Sequence, residues 1–280
     1  MMRFWGMFRF TIGEAIRKGT LVFYFSVATI IILVFALGIS HAPNDPEMVT
    51  IFGLPFGFRS QPGMNVIEFL LFQLHSLSVF WIILFGIFAV AGLIPGMLEK
   101  GAVDLFLSKP LSRAEILMSR ALGAVSGISV NLLYFFLGIW LVFGVKLGVW
   151  HWGFLSSVFY IIFAFVCFFS IVTITGLITR SSGFSIMLAF AFYIISWGLE
   201  VREKGLYKLW DNYVYHRTLD ALYYLTPQMN AMLENSSRVV GKNPMIPYPP
   251  EFTLMPFVYS FFSTCLLYAL SVWYFSKQDY

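Results

Sequence analysis

Side chains capable of acid–base, nucleophilic or metal chemistry are few in this sequence, and they do not gather. Glu68 and His75 stand seven residues apart, which places them on one face of a helix. Ionisable groups inside an apolar run are costly to bury and are functional candidates for that reason. An interfacial position in contact with water is the alternative, because both lie away from the centre of their run. Asn131 falls deeper within its own apolar run, where a hydrogen bond to a neighbouring helix and a place on a ligand pathway are both open. His41, His75, His151 and His216 are spread over separate segments without an HExxH pattern, and Cys167 and Cys265 each sit among apolar residues without CxxC spacing. No metal site is expected from such spacing. The sequence contains no GxxxxGK[ST], so the chain is not expected to cradle nucleotide phosphates or to act as an enzyme by that route. An intramembrane enzyme built on Glu68, His75 or Asn131 would need several polar groups at one depth, and the inner halves of the apolar runs are nearly bare.

The elements that must hold these residues follow from composition. Hydrophobic residues make up 59% of the 280 and charged residues 11%, less than half the charge of an ordinary soluble domain. That excess must face lipid, where about 20 apolar residues make one helical crossing. Apolar runs predict an all-α polytopic membrane protein, one transmembrane domain over 1–280, with spans at 21–39, 66–96, 116–143, 154–178, 184–201 and 257–275. Residues 1–20 predict an amphipathic interfacial helix, with Phe4, Trp5, Phe8, Ile12, Ala15 and Ile16 on its apolar face and Arg3, Glu14 and Arg17 on the other. Ser40-His41-Ala42 mimics a signal-cleavage site, but the long apolar run and Pro43 favour a retained span. Residues 40–65 read as a proline-bearing loop. The segment 202–251 carries Leu219, Leu222, Leu225, Met229 and Leu233 at helical spacing, which predicts a short amphipathic helix or hairpin before a stiff, proline-rich lead into the last span. Ser119, Gly123 and Gly127 form a small-residue stripe open to close approach by another helix, within the chain or from a second copy.

Basic residues report orientation here, and the net charge of +4 does not point to nucleic acid. Arg3, Arg9, Arg17 and Lys18 precede the first span, Arg59 follows it, and Lys100, Lys109, Arg113 and Arg120 lie between the second and third. Both termini are therefore expected in the cytoplasm, with the chain in the cell membrane. That scheme puts 202–251 outside although it carries six basic residues, which runs against the simple rule.

The most informative stretch is the connection 98–115. Gly101 permits the chain to turn out of the second span, and Val103, Phe106 and Leu107 give a short helix an apolar side. Pro110 closes that helix and biases Lys109 away from helical geometry. Ser112 followed by Glu115 is a capping box that starts the third span. A short helix between two rigid joints is a good lever for passing motion from a cytosolic partner into the membrane.

The run EKGAVDLFLSKPLSR resembles the signature loop of type-2 ABC permeases, whose usual pattern is close to ExGTLDLLLSxPxSR. Glu99, Gly101, Asp104, Leu105, Leu107, Ser108, Pro110, Ser112 and Arg113 match, while Ala102 and Val103 replace the usual Thr and Leu, and Met97 stands where many members carry an acid. The amphipathic start and Leu222-Tyr223-Tyr224-Leu225-Thr226-Pro227 are similar to permeases of the nitrous-oxide-reductase maturation and natrium-export group. The resemblance implies a cytoplasmic coupling helix that docks on a separate ATPase through Glu99, Gly101, Asp104, Leu105, Leu107, Lys109, Pro110, Ser112, Arg113 and Glu115. It implies an exporter of two permeases, as homodimer or pseudo-dimer, and two ATPases. ATP would be bound by the partner, and the permease would need no cofactor of its own. A periplasmic or other extracytoplasmic accessory protein and a purely structural or force-transmitting role in a larger complex are left open.

Overall fold

In a bilayer every backbone N–H and C=O must be satisfied within the segment, so uninterrupted apolar runs fold as helices. A computed structural model of the chain describes residues 2–42, 45–56, 66–99, 111–241 and 251–278. The amphipathic helix α1 (Met2–Arg17) is followed by α2 (Thr20–Gly38), α3 (Val66–Val90), α4 (Arg113–Leu147), α5 (Trp152–Thr179) and α6 (Ser182–Glu200). Two shorter helices, α7 (Tyr213–Leu225) and α8 (Met229–Val240), precede α9 (Met255–Lys277). Six of these segments are long and apolar enough to cross a membrane. Helix α5 is the hub: 72% of its apolar window is buried, against 22% for α2 and for α6. Successive long helices alternate in direction, which collects Lys18, Arg113, Arg120 and Arg180 at one end, called here the basic end.

The connection after α2 departs from the expected loop. Strands β1 (Ile39–Ala42), β2 (Asp45–Ile51) and β3 (Leu54–Phe56) form an antiparallel sheet in that order. Its second turn is two residues long, between paired Ile51 and Leu54, with Phe52 at φ 52° and Gly53 at φ 76°. Positive φ at both positions is the turn whose twist matches a tight hairpin. A bulky residue such as Phe52 seldom adopts it. Here the Phe52 N–H donates to the Gly38 carbonyl at 2.8 Å, and its ring occupies the space that a side chain on Gly38 would need.

The segment after α6 is a helical hairpin rather than one continuous helix. Pro227 ends the periodicity of the leucines, and Asn212 caps α7 by accepting from the Val214 N–H at 2.8 Å. Neighbouring helices take up the turn's backbone groups: Ser260 accepts from Gln228 N–H at 2.8 Å, Ser196 accepts from Met229 N–H at 3.0 Å, and Ser263 donates to the Leu225 carbonyl at 2.7 Å. Helix α8 buries Met229, Met232 and Val240 against α3, α5 and α6, whereas α7 buries none of its residues. The hairpin lies at the end of the bundle opposite the basic end. Two basic residues of this segment are locally paired, Arg202 with Asp220 at 2.8 Å and Arg238 with Glu234 at 2.8 Å. The residues 242–250, the rest of the proline-rich lead, lie outside the described residues.

Helix α1 meets the bundle along one side and leaves part of its predicted apolar face exposed. Met7, Thr11 and Ala15 are buried against α4, while Trp5 and Ile16 remain exposed. Glu14, expected on the outward polar face, turns into the bundle. The small-residue stripe explains the close approach, because a Cβ at Gly123 would lie 2.8 Å from Thr11 Cβ. Gly127 faces Leu21 of α2, so the stripe serves packing within the chain.

Candidate functional site

At the basic end α3 loses its regular form. Two 3₁₀ turns, Ala91–Leu93 and Pro95–Leu98, replace its last α-helical turns, since Pro95 has no N–H to donate. A helix that ends this way leaves carbonyls without intrahelical partners. Side chains from two other elements supply donors. Thr20 Oγ1 donates to the Ala89 carbonyl at 2.9 Å, and Arg120 Nε donates to the Leu93 carbonyl at 3.0 Å.

Arg120 is the most demanding side chain in the bundle. It is wholly buried one turn into the apolar part of α4, and its Nη2 lies 3.0 Å from Glu14 Oε2. Glu14 Oε1 in turn meets Lys18 Nζ at 2.9 Å. A buried guanidinium is tolerated only when it is paired and hydrogen-bonded, as this one is to the Glu14 carboxylate and the Leu93 carbonyl. Partial burial pushes the Glu14 carboxyl up, but the charges of Arg120 and Lys18 outweigh it and hold the pKa below the ordinary carboxylate value. One guanidinium thus ties α1, the 3₁₀ end of α3 and the start of α4 together.

The opposite shoulder of the connection is equally fixed. Ser112 caps α4 as its spacing predicts: its N–H donates to Glu115 Oε2 at 2.8 Å, and its Oγ accepts from Glu115 N–H at 3.2 Å. Arg113 Nη1 donates to the carbonyls of Phe275 at 3.2 Å and Ser276 at 3.3 Å, and to that of Gln278. These are terminal carbonyls of α9, where the helix dipole also favours a cation. Glu99 is exposed and extended where the first shoulder ends. Gly101, Asp104, Leu105, Leu107, Lys109 and Pro110, with the expected coupling helix, lie outside the described residues.

The polar candidates away from this end do not converge. Glu68 is exposed near the start of α3, whereas His75 is fully buried, so the expectation that both touch water fails for the histidine. His75 Nδ1 lies 3.3 Å from Ser237 Oγ of α8, and its ring meets Phe136 and Phe154 edge-on. Asn131 is buried on α4 and lines a separate cleft with α2 and α3. Among the described residues no three His, Cys, Asp or Glu are grouped to hold a metal ion. The Glu14–Arg120 pair escaped the sequence reading. Its signal was an arginine inside an apolar run, which requires an acid, together with the sole acid of α1.

Six membrane-length helices and an amphipathic helix bound at their basic end make this a multi-pass membrane protein. Residues 11–280 match the family described as ABC-2 family transporter protein, and the chain belongs to that family. It is a permease subunit of an ABC transporter, a membrane component that works with an ABC ATPase. No curated protein matches it.

Proposed function

We propose that this permease belongs to an exporter in the cell membrane, with its basic end and both termini in the cytoplasm, and that the segment 98–115 receives the ATPase. The observation that carries the reading is the pair of fixed shoulders around residues 100–110. One is the 3₁₀ end of α3, held through Leu93 by Arg120 and thence by Glu14 of α1. The other is the Ser112–Glu115 cap, held through Arg113 to the end of α9. A partner moving the intervening segment would displace four elements at once, since none of the shoulders can yield alone. In this reading Glu99, Gly101, Asp104, Leu105, Leu107, Lys109, Pro110 and Arg113 form or frame the docking surface, and the partner binds ATP. Two copies of the permease would enclose the pathway. The distribution of lysine and arginine supports the orientation.

The test is reconstitution with the cognate ATPase in proteoliposomes. Arg113→Ala and Glu99→Ala should each lower transport-coupled ATP hydrolysis, and deletion of residues 100–110 should abolish co-purification. Full coupling retained after that deletion would overturn the reading.

A further inference from the structure

Asn131 occupies an unusual position for a polar residue. It is 1% exposed, and among the described residues its Nδ2 has no hydrogen-bond partner. Buried amides are nearly always bonded, and an orphan donor in an apolar setting calls for an explanation. Asn131 lines a cleft of about 270 Å³ between α2, α3 and α4, walled by Ala28, Ile31, Trp81, Ile82 and Phe135. The phenol of Tyr24 at the same cleft already donates to the Ile82 carbonyl at 2.9 Å. The outer wall is open sideways through Leu77, Trp81 and Phe85, which are 60%, 54% and 40% exposed on the lipid-facing surface of α3.

The volume decides between emptiness and occupancy. A dry apolar cavity of about 150 Å³ already takes up benzene. A space nearly twice as large, open to hydrocarbon and carrying one uncommitted donor, fits an apolar chain or ring with an acceptor oxygen. Depth agrees. Gly127 packs at Leu21, near the start of α2, and Asn131 lies one helical turn, about 6 Å, further in. The cleft's residues on α2 run from Tyr24 to Ile31, in the middle of Thr20–Gly38, so the donor stands within the apolar layer, where no water competes for an acceptor oxygen.

We infer that the cleft between α2, α3 and α4 binds a lipid-like amphiphile from the side, with the Asn131 amide donating to the ligand's carbonyl oxygen. The site does not depend on the exporter reading or on the ATPase contact. Its occupant is either a resident membrane lipid or the transported molecule, which share this chemistry.

The test uses the full chain in phosphatidylcholine vesicles doped with a diacyl phosphatidylcholine bearing a photoactivatable diazirine in one acyl chain. Its dialkyl ether counterpart, which lacks the carbonyls, serves as the second probe. Labelled peptides are mapped. With the ester probe, Trp81 and Ile82 should be labelled in excess of Phe261 and Phe262, which face lipid on α9. Asn131→Leu, which keeps the volume and removes the donor, should lower that labelling by about fivefold, the worth of one neutral hydrogen bond. The ether probe should show no such loss. Ser78→Phe, which narrows the cleft from α3, should reduce labelling by both probes, with thermal unfolding in detergent reporting that each variant folds. Labelling at Trp81 no greater than at Phe262 and insensitive to Asn131→Leu would overturn the site. So would crosslinking of Trp81 chiefly to a second copy of the chain. With the ATPase present, loss of the label on ATP hydrolysis identifies cargo, and retention identifies a resident lipid.

Discussion

The two ends of the bundle are held by different physics. At the basic end, α1, α3, α4 and α9 meet through two arginines, one carboxylate and a handful of terminal carbonyls. At the opposite end, α8 is fixed to α3, α5 and α6 chiefly by apolar surface, with Met229, Met232 and Phe154 all buried, alongside hydrogen bonds of Ser196 with the Met229 N–H, Asn230 with Glu200 and Ser237 with His75. Directional contacts to charged groups are few, strong and all-or-none, whereas apolar contacts are many and individually weak. A junction of the first kind moves as a unit or breaks. A junction of the second kind holds its shape when one residue changes. The difference suits an end that passes on motion and an end that anchors it.

The largest effect is expected from breaking the first kind of junction at its centre. Arg120→Ala removes the donor to the Leu93 carbonyl and leaves the Glu14 carboxylate with Lys18 alone, at a cost of about 3 kcal/mol. Thermal unfolding in detergent measures the loss. The same variant should uncouple ATP hydrolysis from transport more than it lowers binding of the ATPase, because the docking segment itself is intact. Next comes the close approach of α1. Gly123→Val drives a side chain into Thr11 and towards the Phe8 carbonyl, whose backbone can give little, at about 2 kcal/mol. Gly127→Ala, one turn on, meets only the flexible tip of Leu21 at 3.4 Å and should be neutral or slightly stabilising. Equal damage at both glycines would show that α1 does not depend on this contact.

Much of this architecture was legible because apolar length speaks directly of lipid. The six long helices coincide in number with the apolar runs, and Ser112 and Glu115 marked the start of α4 to the residue. The sheet over 39–56 was hidden because Pro46 and Pro55 argue against strands, and the seating of Phe52 on Gly38 that helps to fix its hairpin turn has no local signature. The hairpin α7–α8 was half legible: the leucine spacing left a short helix or a hairpin open, and the serines of α6 and α9 that take up the backbone of the turn at Pro227 lie far away in sequence. The side of α1 that meets the protein was not legible, for a related reason. Amphipathic contrast points to the side that meets lipid, whereas the side that meets protein is chosen by small residues and by Arg120, which lies over a hundred positions away. Each helix carries half of that signal, an arginine in an apolar run and a lone acid, but neither half names its partner.

The comparison sharpens at its weak extremes. At the anchoring end, His75→Leu with Ser237→Ala removes a hydrogen bond and an orphan ring nitrogen together, so it should cost no more than about 1 kcal/mol and leave coupling unchanged. At the basic end, Glu14→Gln should cost still less at neutral pH, because the amide oxygen still accepts from the guanidinium and Glu14 is partly exposed. Its signature is the pH dependence. The folded-state pKa of Glu14 is depressed by Arg120 and Lys18, so its stabilising contribution is present above the unfolded-state pKa and is lost as pH falls through the folded one. Unfolding temperatures of the wild type and Glu14→Gln should therefore differ at pH 7 and converge as pH falls through the depressed folded-state pKa. A gap that stays constant across that range would mean that the carboxylate charge does not hold Arg120, and the basic end would then be packed like the other.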